Sequence, residues 1–121
     1  MAETANPATQ SQRPIILSTL EYMPGYEVVE HMGMANGSTV RTKNAFRDIA
    51  AGIKNIFGGE LRGYTELLEE SRREALSRLA AQAHRMNADA VLNIRFTTSA
   101  IAKGAAEIFA YGSAVRISKK P

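Results

Sequence analysis

Polar and apolar positions follow two rhythms along this chain, and the changes of rhythm divide it into elements. Ile15-Ile16-Leu17-Ser18-Thr19 is short, apolar and rich in β-branched residues, which predicts a strand. Pro24-Gly25 marks a turn. Tyr26–Met32 follows as a second strand, and its acidic residues with His31 predict one wet face. Asn36-Gly37 is a hairpin signal, because both residue types tolerate positive φ; the same pair also fits a bulge or a loop. Ser38–Arg41 resumes the strand.

The rhythm then changes to steps of three and four. Asn44 suits a helix N-cap, and Phe46, Ile49, Ala50, Ile53, Ile56 and Phe57 give Ala45–Phe57 one apolar face. Gly58-Gly59 ends that helix. Gly63-Tyr64-Thr65 opens a longer one, with Tyr64, Leu68, Ala75, Leu76, Leu79, Ala83 and Met86 as its buried stripe. Its other face carries alternating acids and arginines, including Glu69–Arg73 and Glu74–Arg78 at the favourable four-residue spacing. Asn87 is the predicted stop.

Alternation returns after it. Leu92, Ile94 and Phe96 fall on one face of a strand over Ala90–Thr98, with Asn93, Arg95 and Thr97 on the other. Lys103-Gly104 predicts a turn. Ala106–Ser118 forms a last strand with Phe109, Tyr111, Val115 and Ile117 on one face. Gly112 inside it predicts a bulge or a close backbone approach. The order is strands, helix, helix, strands: an α+β domain with two helices on one face of a mostly antiparallel sheet. Met1–Pro14 is small and polar with no apolar face, so residues 1–14 read as a disordered tail and 15–118 as a single domain. A sheet of this kind leaves a face and two edges to be covered, which predicts self-association.

Composition narrows the chemistry. The 121 residues contain no cysteine, which excludes disulfides, thiolate metal sites and cysteine nucleophiles. The net charge is +3, but the basic residues are spread along the chain rather than gathered with stacking aromatics, so no nucleic-acid partner is expected. No apolar run has the length of a membrane span and no secretory signal opens the chain, so no membrane partner is expected and the compartment reads as cytoplasmic. The two histidines, His31 and His84, lack metal-site spacing within one element. No nucleophile elbow or phosphate loop is present. No enzymatic activity is expected from these residues.

A resemblance adds to this reading. The run Asn44-Ala45-Phe46-Arg47-Asp48-Ile49-Ala50-Ala51-Gly52-Ile53, then Gly58-Gly59 and Gly63-Tyr64, resembles the central signature of the YbjQ-like family, whose members are described as heavy-metal-binding domains. Asn87-Ala88-Asp89-Ala90-Val91 and Ala110-Tyr111-Gly112-Ser113-Ala114-Val115 extend the likeness over about Ile15 to Ile117. It implies a dodecin-like subunit, a homo-oligomeric ring, most simply a pentamer, and no established enzymatic activity. Where relatives carry an acidic strand after the Ala-Asp-Ala-Val stretch, this chain has Ile94-Arg95-Phe96-Thr97-Thr98-Ser99, which removes oxygen ligands of the kind hard cations need.

The leading expectation is therefore a non-enzymatic, ring-forming binding or scaffold domain of unknown ligand, with itself as partner. One alternative is a module holding a divalent or heavy-metal ion at a subunit interface through Glu27, Glu30, His31 or Asp89. Another is a small-molecule enzyme with a pocket between subunits. Arg47, Asp48, Gly58, Gly59, Gly63 and Tyr64, at the corner between the two expected helices, are the candidates for structural or interface contacts.

Overall fold

A computed structural model describes residues 13–42, 60–102 and 105–121. Its elements are β1 (Ile16–Leu17), β2 (Tyr26–Thr42), α1 (Glu60–Arg85), β3 (Ala90–Ala102) and β4 (Ala105–Lys119). The strands form one sheet in the order β1-β3-β4-β2. β1 runs parallel to β3, whereas β3–β4 and β4–β2 are antiparallel. Two helices on a mostly antiparallel sheet were the expectation. Among the described residues the protein instead has a single helix and four strands in a mixed sheet, with the helix inserted between strand pairs. The parallel pairing has a plain cause. The segment after Arg13 runs alongside the start of β3, with Ile16 N donating to Asp89 O (3.1 Å) and Ser18 N to Val91 O (3.0 Å). The helix expected over Ala45–Phe57, with its Asn44 cap, lies outside the described residues. So do Gly58-Gly59, the Lys103-Gly104 turn and the first twelve residues of the expected tail.

β2 is one strand of 17 residues. It does not turn back at Asn36-Gly37; both residues pair with β4, opposite Tyr111 and Ala110. The glycine at 37 is required by packing. A Cβ there would stand 2.3 Å from the carbonyl oxygen of Ala75 and from the amide nitrogen of Leu79, so α1 rests directly on the strand backbone. Gly33, with φ +114°, sits where the register shifts between His31 and Gly33, a bulge that favours a residue without Cβ.

α1 begins at Glu60, a turn earlier than expected, and buries a stripe of every fourth residue: Leu67, Ser71, Ala75, Leu79 and Ala83. Leu68, Leu76 and Met86 flank it, partly buried. Leu67 and Ser71 were not in the expected stripe. Ser71 is accommodated because its hydroxyl donates to Leu67 O (2.8 Å) and its own carbonyl accepts from Thr39 Oγ1 (3.1 Å). The helix stops at Asn87, which adopts φ 62°. Ala88 N donates to Ala83 O and Asn87 N to His84 O, both at 3.0 Å, the bond pair of a Schellman motif.

The core lies between α1 and the sheet: Ala35, Ala75, Leu79, Ala83, Ala88, Val91, Ile94, Ile108, Ala110 and Ala114. On β4 the helix therefore covers the small even-numbered positions, not the Phe109-Tyr111 face that hydrophobicity favoured. Small residues there let α1 approach closely. A second, smaller cluster on the opposite face joins Ala90, Leu92 and Val115, with Met23 and Ile117 against it. The expected alignment of Leu92 with Ile94 fails because Asn93 takes φ 57° within a register shift between Leu92 and Arg95. That irregularity sends Leu92 to one face and Ile94 to the other. Gly112 lies against it, where a Cβ would meet Val91 Cγ1 at 2.7 Å and Leu92 O at 2.8 Å.

Candidate functional site

A cleft of about 240 Å³ opens at the C-terminal end of α1, lined by Arg13, Ile15, His84, Asn87, Ala88 and Arg116. Three separate parts of the chain build it. The helix stop supplies His84, Asn87 and Ala88, and β4 supplies Arg116. The segment entering β1 supplies Arg13 and Ile15. Arg13 is held at two points. Its carbonyl accepts a hydrogen bond from His84 Nε2, and its guanidinium pairs with Asp89 Oδ1 at 3.0 Å. A carbonyl can only accept, so the partner nitrogen of His84 carries the proton. Asp89 is itself fixed, since its Oδ2 accepts from Ile117 N at 3.0 Å and its side chain is only 13% exposed.

Arg116 stands on the helix-covered side of β4, directly across the ladder from Glu30. It forms no ion pair with Glu30 or with any other described carboxylate. Among the described residues its guanidinium is therefore uncommitted beside the cleft.

The four residues proposed as metal ligands do not converge. His31 pairs with Val115 and so faces away from α1. In a regular strand Glu27 and Glu30, three positions apart, would fall on opposite faces. The register shift between Val28 and Glu30 changes this: Glu27 pairs with Ser118 and Glu30 with Arg116, which share one face. Both glutamates are exposed. Asp89 is already engaged through both oxygens. Among the described residues no three His, Asp or Glu side chains gather in a group able to hold a metal ion, so the residues within one chain do not fit a cation site. Gly63 and Tyr64 lie in the first turn of α1, not in a connecting loop. Arg47, Asp48, Gly58 and Gly59 lie outside the described residues. Sequence reasoning missed Arg13, Asn87 and Arg116 as neighbours, because no local pattern links three segments so far apart.

A second polar cluster ties α1 to the edge of β2. Glu74 accepts from Arg41 Nη2 (2.8 Å) and from Arg78. The Arg41 hydrogen bond holds the Glu74 carboxyl below its ordinary value; partial desolvation opposes this, and the charges of Arg78 and Arg41 add to it. Arg78 Nη1 also donates to Ser38 O (2.6 Å), and Gln82 Oε1 accepts from Asn36 N (2.5 Å). No helix among the described residues is long and apolar enough to cross a membrane.

One amphipathic helix laid on a mixed sheet, with a polar cleft at the helix end, defines a small α+β domain. A crystal structure of a protein of unknown function from Pediococcus pentosaceus, of the DUF74 family, shares this fold. Its TM-score is 0.59 at 15% identity, over 86% of this chain and 98% of that one. The family model described as "Putative heavy-metal-binding" matches residues 15–118, and the chain belongs to this YbjQ-like family. Relatives named UPF0145 protein include one from Hahella chejuensis, 58% identical over 84% of this chain and 97% of its own length. Another, from Archaeoglobus fulgidus, is 51% identical over 88% of this chain and 98% of its own.

Proposed function

We propose that this chain is a non-enzymatic, homo-oligomeric binding or scaffold domain of the cytoplasm that closes into a ring, as a pentamer. The observation that carries this reading is the apolar surface exposed, among the described residues, on the face of the sheet away from α1. α1 shields one side only. On the other, Met34 is 59% and Val40 47% exposed, beside the stacked rings of Phe109 and Tyr111, whose centroids are 5.6 Å apart. A second copy of the chain is the occupant that removes this surface from water, and a closed ring of heterologous contacts covers it on every subunit. Native mass spectrometry of protein purified without chelator tests this. A single closed species supports the reading, and a monomer at micromolar concentration overturns it.

A second reading has its own support. The bulge at Val29 places the exposed Glu27 and Glu30 on one face with no ion pair among the described residues. Two carboxylates with a ligand from a neighbouring subunit suit a divalent or heavy-metal ion, in line with the family's description. The same spectra decide it. Added mass that is lost on chelation and in Glu30→Gln supports a site between subunits. Unchanged mass with zinc, copper, nickel or manganese removes it.

A further inference from the structure

We propose that the cleft at the C-terminal end of α1 binds a small oxyanion of phosphate type, held between the guanidinium groups of Arg13 and Arg116. Four observations support it. First, Arg116 faces this cleft with no carboxylate partner among the described residues, although Glu30 stands opposite it in the ladder. An uncommitted guanidinium presents a fork of donors that matches phosphate or carboxylate oxygens. Second, the other wall is built before any ligand arrives. Asp89 orients the Arg13 guanidinium and the His84 ring anchors the Arg13 carbonyl. Ordering Arg13 on binding therefore costs less than ordering a free surface arginine. Third, the negative charge of Asp89, which holds the Arg13 wall, is already offset. Asp89 is paired with Arg13 and accepts from the Ile117 amide. The helix-end carbonyls of Ala83 and His84 accept from Ala88 and Asn87. Fourth, at about 240 Å³ the cleft is smaller than the roughly 300–1,000 Å³ of drug-sized sites, which favours a compact ligand. The Asn87 carboxamide, on the rim, adds a neutral donor.

The chemistry recognised is a tetrahedral phosphate group, free or as a small monoester. The cleft lies within one chain, so this proposal does not depend on the oligomer reading.

Isothermal titration calorimetry of the full chain with inorganic phosphate, and separately with glycerol phosphate, tests it at fixed 0.15 M ionic strength, where weak surface attraction is screened. The expected result is saturable binding of one equivalent per chain that weakens at least tenfold in Arg116→Gln. In Arg116→Lys, which keeps the charge but loses the fork, it weakens by an intermediate factor. Arg116 is exposed, so both variants are expected to keep the wild-type melting curve; Arg13→Gln gives a second, independent loss should they not. Tighter binding of glycerol phosphate than of phosphate identifies the ligand as an ester, and the reverse identifies the free ion. Absence of saturable binding, or equal affinity in wild type and the variants, overturns the proposal. Native mass spectra of the same samples keep the two readings apart: a monomer that binds phosphate removes only the ring, and a ring that does not bind it removes only the cleft's role.

Discussion

Gly37 and Ala75 touch through backbone alone: a Cβ on Gly37 would stand 2.3 Å from the Ala75 carbonyl oxygen. The strand and the helix are thus as close as two backbones can lie, and neither the oxygen nor the nearby Leu79 nitrogen can move aside without bending α1. Gly37→Ala is expected to destabilise the fold by about 3 kcal/mol or more, at the upper end of overpacking costs. Urea denaturation measures it. A loss below about 1 kcal/mol would show that the helix can lift away freely.

Asp89 is a structural clamp as well as a neighbour of the cleft. Asp89→Ala removes the acceptor for the Ile117 amide and the partner of Arg13. A loss of about 1–3 kcal/mol is expected, the usual cost of stranding a largely buried donor. Asp89→Asn retains an oxygen for the amide and should lose less. Thermal unfolding of the two variants side by side separates the hydrogen bond from the charge.

The free edge of β2 is capped by its own helix. Gln82 accepts from the Asn36 amide and Arg78 donates to the Ser38 carbonyl. Uncapped edge groups are templates for strand pairing between molecules. Gln82→Ala is expected to speed hydrogen exchange at the Asn36 amide, and Gln82→Ala with Arg78→Ala to raise turbidity on mild heating. Unchanged exchange at Asn36 in Gln82→Ala would contradict the cap.

Glu74 links stability to pH. The Arg41 hydrogen bond, opposed by desolvation and aided by the charges of Arg78 and Arg41, lowers its folded-state pKa below the ordinary 4.5. A lowered carboxyl binds its proton more weakly in the folded state than in the unfolded one. Its contribution to stability is therefore complete above the unfolded value and fades as pH falls through the folded one. Relative to Glu74→Gln, the wild type should be more stable near neutrality, and the difference should shrink in acid. NMR titration of Arg41→Gln should return the Glu74 carboxyl towards its ordinary value.

Much of α1 was legible in the sequence because its signals are local. The spacing of Leu68, Leu76 and Leu79 sets an apolar stripe, Glu74 and Arg78 pair across one turn, and Asn87 tolerates the left-handed conformation that ends the helix. The strand over Ala90–Thr98 was legible from its alternation, but its faces were not. One irregular residue, Asn93, exchanges the sides of everything that follows it, and nothing in the hydrophobic pattern announces the exchange. The Val29 bulge does the same to Glu27 and Glu30, bringing onto one face two carboxylates that a regular strand would hold on opposite faces.

By itself, then, the sequence determined that the stretch from Leu68 to Ala83 is helical and that Ala90–Thr98 and Ala106–Ser118 are extended, that no thiolate chemistry is available, and the family, whose signature is spread from Ile15 to Ile117. The tertiary structure alone decided that β1 runs parallel to β3, that Asn36-Gly37 continues a strand under a helix, and that Arg13, His84, Asn87 and Arg116 share a cleft. The physical reason is one of range. Backbone preference and periodicity act over a few residues, so they are written locally. The hydrogen bond from His84 to Arg13 joins residues 71 positions apart, and the entropy of closing that loop is offset only by the whole packed core acting together.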